Sequence, residues 1–159
     1  MKEQTCCFTG HRLIAKSEIP IVRKRLRNTV IELINKGVIY YGAGGALGFD
    51  TIAAQTILDL KAEYPQIKLI LVLPCINQTA KWKQSDVDMY EYIKSKCDKY
   101  VYTSKEYYDE CMKKRNRHLV DNSAYCICYL THNRGGTYYT YNYAKENGLQ
   151  IFNVAEGKE

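Results

Sequence analysis

Two glycine-rich segments flanked by arginines are the residues in this sequence best suited to chemistry. The first is Gly42-Ala43-Gly44-Gly45-Ala46-Leu47-Gly48, which ends in Phe49-Asp50. The second is Asn133-Arg134-Gly135-Gly136-Thr137. Each leads from a strand-like run into a helix-like one. A helix start offers unpaired N–H groups and the positive end of a dipole, and glycine lets the backbone approach a ligand closely. Both segments therefore suit a phosphate. A third segment, Gly10-His11-Arg12, follows the first strand-like run and adds a guanidinium. A Gly-Gly pair alone is equally well a tight turn. Two on one sheet edge, with Arg12 and Arg134 beside them, favour an anion site.

Other phosphate motifs do not fit. No Gly-Lys-Ser/Thr follows the first loop, and Leu47 stands where the last glycine of a dinucleotide fingerprint belongs. The next strand ends in Leu73-Pro74-Cys75, with no acidic residue to take a ribose. Ordinary hydride transfer is therefore not expected.

Arg115 is the most informative single residue. It falls four after Cys111, three after Met112 and four before Leu119, within the apolar stripe of its helix. A buried guanidinium is costly unless it is paired, so either a protein carboxylate or an anionic ligand must meet it. Asn116 beside it is a candidate hydrogen-bonding group. Asp50 either takes a ribose hydroxyl or caps the following helix. His11 is either a phosphate donor or base or an unremarkable loop histidine. Trp82, the sole tryptophan, lies beyond Pro74 and is either a stacking platform for a base or a core plug. Thr137 caps its helix and is placed to bind phosphate.

These groups must be positioned by a regular alternation of elements. Strand-like runs are Thr5 to Thr9, Val38 to Tyr41, Ile67 to Leu73, Tyr100 to Tyr102, Tyr125 to Leu130 and Gln150 to Val154. Between them the spacing predicts helices over Pro20 to Lys36, Asp50 to Tyr64, Ser85 to Lys96, Tyr107 to Asn122 and Thr137 to Asn147. Ile67 to Leu73 is almost wholly apolar, as in strands covered on both faces. The expected fold is α/β, a Rossmann-like three-layer α/β/α arrangement on a mostly parallel sheet of about six strands. In such sheets ligands bind beyond the carboxyl ends of the strands, where the glycine segments lie.

At 159 residues the expectation is one domain over residues 1–155 and a short tail over 156–159. Apolar residues make up 46% and charged residues 25%, which excludes a disordered chain. No apolar run reaches the roughly 18 residues of a membrane span. Met1-Lys2-Glu3-Gln4 leads straight into a strand-like run without a leader pattern, so a cytoplasmic protein is expected. The seven cysteines are odd in number and lack Cys-x-x-Cys spacing, which favours free thiols over disulfides or a metal site. No cofactor is expected. The balance of 23 basic and 17 acidic residues suits an anionic ligand. It would also suit nucleic acid, but no dense basic stripe interleaved with aromatics supports that partner.

Five short segments in order resemble the YpsA-like family of the SMF/DprA–LOG (SLOG) superfamily. They are Cys7-Phe8-Thr9-Gly10-His11-Arg12, Gly44-Gly45-Ala46-Leu47-Gly48-Phe49-Asp50, Leu73-Pro74-Cys75 with Gln78 and Trp82, Arg115-Asn116, and Gly135-Gly136-Thr137. The resemblance implies a Rossmann-like fold and a pocket for a nucleotide-derived small molecule, such as an NAD- or ADP-ribose-related ligand. Two branches give the alternatives. Gly44 to Asp50 looks like the Gly-Gly-Ala-x-Gly-Ile-Asp motif of DprA, a single-stranded DNA-binding protein. Arg115 to Thr140 looks like the LOG phosphoribohydrolases, which cleave the N-glycosidic bond of nucleoside monophosphates. In their Pro-Gly-Gly-x-Gly-Thr-x-x-Glu motif a glutamate occupies the place of Thr140 here. A threonine hydroxyl neither stabilises an oxocarbenium ion nor activates water well. Binding or sequestering of a ligand is therefore the expected function, with Asp50 the catalytic candidate if the protein is a hydrolase. The Tyr-rich stretch Tyr138 to Tyr143 and superfamily habit make a homodimer an expectation.

Overall fold

A computed structural model describes residues 1–157; residues 158–159, half of the expected tail, lie outside the described residues. The strands are β1 (Thr5–Gly10), β2 (Tyr40–Ala43), β3 (Lys68–Leu73), β4 (Lys99–Tyr102), β5 (Tyr125–Tyr129) and β6 (Gln150–Asn153). The helices are α1 (Ile19–Asn35), α2 (Phe49–Leu60), α3 (Gln84–Lys96), α4 (Cys111–Asp121) and α5 (Gly135–Glu146). All strand pairs are parallel, and the order is β4-β3-β2-β1-β5-β6. The sheet is thus the expected Rossmann-like one, wholly rather than mostly parallel. The order reverses between β1 and β5, which makes that junction the switch point where a ligand crevice opens.

The helices divide three to two. Val22, Leu26, Val30 and Leu33 of α1, Ile57 and Leu60 of α2 and Ile93 of α3 pack with Leu69, Leu71 and Leu73 on one face. Leu119 and Val120 of α4 and Ala144 of α5 pack with Cys7, Val72, Cys126 and Cys128 on the other. Alternate residues of β3 therefore enter opposite cores, as period-two geometry requires. All seven cysteines are free thiols, and those in the strands serve as small core residues. Among the described residues no helix is long and apolar enough to cross a membrane.

Four elements differ by two residues or more from the sequence expectation; one is α5, which begins at Gly135 rather than Thr137, so that Thr137 lies inside its first turn and does not cap it. β2 starts two residues later and takes in Gly42 and Ala43, which pair with Ile70 and Leu71. Val38 instead closes α1, its amide donating to Leu33 O at 3.0 Å. α2 ends at Leu60, several residues before Pro65. α4 begins at Cys111, not Tyr107, because its buried stripe begins there and Tyr107 and Tyr108 point into solvent.

Candidate functional site

The carboxyl end of β1 and the starts of α2, α4 and α5 enclose a cavity of about 310 Å³. That is near the lower end of the ~300–1,000 Å³ usual for small-molecule sites. Its wall includes Gly10, His11 and Arg12 after β1, Ala46 and Asp50 around the start of α2, Arg115 and Asn116 of α4, and Gly136 and Thr137 of α5. Four segments distant in sequence thus converge on one rim of the sheet, at the switch point.

Arg115 is placed by its helix stripe, as its spacing predicts, and is only 4% exposed. Its Nη1 donates to the carbonyl of Gly44, and its Nε donates to Asn116 Oδ1 at 2.7 Å. Its Nη2 meets only the thioether of Met112, at 3.7 Å. Among the described residues no carboxylate comes within 4.0 Å of it. Burial pulls its pKa down, and the charge of Asp50 opposes that shift. A guanidinium has five N–H donors, so Arg115 retains donor capacity facing the cavity.

Asp50 sits in the first turn of α2, 6% exposed, its Oδ2 accepting the Ala46 amide at 3.2 Å. Burial raises its pKa, while Arg115, the Ala46 amide and Arg12 act to lower it. The neighbouring Phe49 amide donates to His11 O at 3.2 Å. Gly48 adopts φ +75°, and a Cβ there would collide with the Arg12 carbonyl. The first glycine loop is therefore closed upon the β1–α1 turn, with its own carboxylate beside the helix start.

The α5 start is different. Gly135, Gly136 and Thr137 form its first turn behind Arg134, without a side-chain cap. Gly136 has nothing within 4 Å of where a Cβ would be. First-turn amides of a helix have no intrahelical acceptor and suit an anion. Thr140, in the place of the hydrolase glutamate, donates its hydroxyl back to Gly136 O at 2.9 Å and does not line the cavity.

His11 bridges the two sides. Its Nε2 accepts the Thr131 amide at 3.0 Å, so its proton resides on Nδ1. Its ring stacks on His132 at 4.0 Å, and burial first, His132 second, lower its pKa. The imidazole is a neutral strut between the β1 and β5 loops.

Of the residues singled out from sequence, Gly44, Gly45, Gly48, Pro74, Trp82, Arg134 and Gly135 do not line the cavity. Gly44 contributes its carbonyl to Arg115, and Gly45 faces Leu73 and Tyr90. Pro74 is buried. Trp82 packs edge-on against Tyr90 at 5.6 Å, beside the larger core. Arg134 is exposed at the α5 N-cap. Phe8, Thr9 and Met112 line the cavity without having been singled out. Met112 was legible in principle, since it lies three residues before Arg115 on the same helix face. Tyr139 and Tyr143 of the Tyr-rich stretch stack on each other and bond to Arg117 and Asp121 of α4.

Comparison with known proteins agrees with this fold. Two DNA processing protein A structures superpose with TM-scores of 0.68 at 18% identity. One, from Streptococcus pneumoniae, is matched over 96% of this chain and 50% of its own. The other, from Helicobacter pylori, is described for its single-stranded DNA binding mode and is matched over 94% of this chain and 64% of its own. At that identity the likeness speaks for the fold. A UPF0398 protein of Brevibacillus brevis is 34% identical over 80 residues, half of this chain and 43% of its own. One of Bacillus cereus is 27% identical over 133 residues, 82% of this chain and 72% of its own. The matched part thus spans less than half of one relative and about three quarters of the other. The sequence model of the YspA SLOG family matches residues 8–153, nearly the full extent of the sheet, and the chain belongs to that family.

Proposed function

We propose that the cavity binds a small, phosphorylated, nucleotide-derived molecule, of the NAD- or ADP-ribose-related class. The observation that carries this reading is Arg115: a nearly fully buried guanidinium with spare donors, facing a cavity, without a carboxylate among the described residues within ion-pairing distance. A cation held there gains most from an anion brought into the cavity. In this reading the Gly136 and Thr137 amides and Arg12 hold the phosphate. Arg115 neutralises its charge, and Asp50 accepts a ribose hydroxyl. The cavity's modest volume favours one phosphoribosyl unit inside it, with the remainder of a larger ligand outside.

Calorimetric titration with ADP-ribose, NAD and nucleoside monophosphates tests this. Arg115→Met should weaken the tightest of them about 100-fold, the order expected on losing a buried charge-assisted contact. Circular dichroism should show the fold retained. Unchanged affinity in a folded variant, or no binding by any of these ligands, overturns the reading.

A nucleotide N-glycosidase is the second reading, and Asp50 favours it as the one carboxylate among the described residues that lines the cavity, with a pKa raised by burial. It requires release of free base from a bound nucleotide, read by chromatography, and loss of that release in Asp50→Asn. Binding without product leaves the first reading alone. An oligo-dT titration tests the DNA-binding alternative, whose affinity should fall steeply with salt.

A further inference from the structure

The two faces of the sheet are not equally covered. α1, α2 and α3 lie over one, while only α4 and α5 lie over the other. On that second face the β3–β4 end carries Ile70 and Val101, both half-buried, beside the buried Val72. A trough runs there between α4 and the sheet edge, in two stretches of about 540 and about 390 Å³ that share Ile70, Val72, Lys99 and His118. It lies on a different surface from the ligand cavity, and the wall residues of the two do not overlap. β3 has six residues, which at ~3.3 Å each gives a trough of roughly 20 Å, the length of about 13 helical residues.

The charges of the trough are mostly basic, with Lys2, Lys99 and Lys114 against the one carboxylate of Asp121 among the described residues. Lys114 and His118, one turn apart on α4, form one wall, and Lys99 of β4 stands on the opposite side. Among the described residues none of the three makes an ion pair. The carboxylate of Asp121, at the end of the first stretch, accepts the Tyr143 hydroxyl at 2.7 Å and is tied to α5. An apolar floor between two unpaired cationic walls matches a helix with an apolar stripe and carboxylates on both flanks. A second copy of this chain seated face to face would set Lys99 and Lys114 against the same cations. A nucleic acid would satisfy the walls and leave the apolar floor in contact with phosphate and sugar.

We propose that this trough is a docking groove for an acidic amphipathic helix of a partner protein, which completes the third helix of that face. The site is independent of the ligand cavity, so either proposal can fail alone.

The probe is a fluorescein-labelled, acetylated and amidated peptide of about 14 residues, long enough to fill the trough. Leu occupies positions i, i+3, i+4, i+7 and i+11, and Glu lies on both flanks. Fluorescence anisotropy with the full chain should give saturable binding near a Kd of about 10 µM. Lys99→Glu combined with Lys114→Glu should weaken it at least about 10-fold, as should replacing every Glu of the peptide by Lys. Because these side chains are exposed, the double variant should keep its melting temperature. Amide exchange should show new protection at 99–101 and 114–118. No saturation by about 1 mM overturns the proposal. Equal binding of the Lys-substituted peptide, protection confined to the ligand cavity, displacement by oligo-dT, or a protein dimer that protects the same amides overturns it equally.

Discussion

At the start of α2, Gly48 is pressed against the Arg12 carbonyl, Phe49 donates to His11 O, and Asp50 places a carboxylate beside the first turn. At the start of α5, Gly135 and Gly136 have open space around them, and no side chain caps the helix. The two segments read alike in sequence as glycine-rich, anion-ready turns. In the fold the first is a structural joint and the second is left open. A glycine-rich helix start is an anion site only if nothing in the chain reaches it first.

Exchanging glycine for alanine at each joint breaks this comparison with the largest effect. Gly48→Ala should cost about 3 kcal/mol, or about 9 °C of melting temperature, because it combines positive φ with a backbone collision. Gly136→Ala should leave stability within about 0.5 kcal/mol, since it meets nothing within 4 Å and lies at a helical position. Paired thermal melts decide it. Equal losses would mean that the α5 start holds the fold together as much as the α2 start does.

A second exchange makes α5 resemble α2. Gly136→Asp places a carboxylate at the open helix start, where the dipole favours it by about 0.5 kcal/mol. The fold should be retained while affinity for a phosphorylated ligand drops at least about 10-fold. Retained affinity in calorimetry would remove α5 from the phosphate site.

The converse change acts on α2. Burial raises the Asp50 pKa even with Arg115 and the Ala46 amide opposing it. Its carboxylate form is therefore a net cost at neutral pH. A folded pKa above the unfolded one contributes stability that is full below the unfolded value and is lost as pH rises through the folded one. Asp50→Asn should raise the melting temperature at pH 7 by about 3 °C, for about 1 kcal/mol. It should weaken ligand binding at the same time. A fall in melting temperature would mean that Asp50 is foremost a structural partner of the α2 start.

Much of this was legible in the sequence. The order of elements follows from apolar periodicity, and the wholly apolar β3 announces a sheet covered on both faces. Arg115 was legible because a cation in an apolar stripe has few ways to be satisfied. What was not legible depends on contacts across the chain. The Phe49 amide is taken by His11 and the Gly44 carbonyl by Arg115, and neither partner is local. Trp82 gave no sign of turning toward Tyr90 and away from the cavity, because one aromatic in a loop has no periodicity to orient it. The late start of α4 has the same origin: Tyr107 and Tyr108 continue the helical spacing, but no sheet lies beneath them.

The smallest effect concerns the strut that joins the two regions. His11 Nε2 accepts the Thr131 amide, and this bond exists only for the neutral ring. Burial and His132 depress its pKa below the ordinary 6.5. A depressed folded pKa contributes stability present above the unfolded value and lost as pH falls through the folded one. The wild-type melting temperature should therefore decline as pH drops below 6.5, an opposite slope to that of Asp50, whose window opens above its unfolded value of 3.8. His11→Gln keeps an acceptor for the Thr131 amide and does not titrate. Its melting temperature should be flatter across that acid range, and ligand affinity should lose less on acidification than in the wild type. Identical pH profiles for the two proteins would mean that the α5 loop is held without the imidazole, and that the open and closed helix starts are not joined through His11.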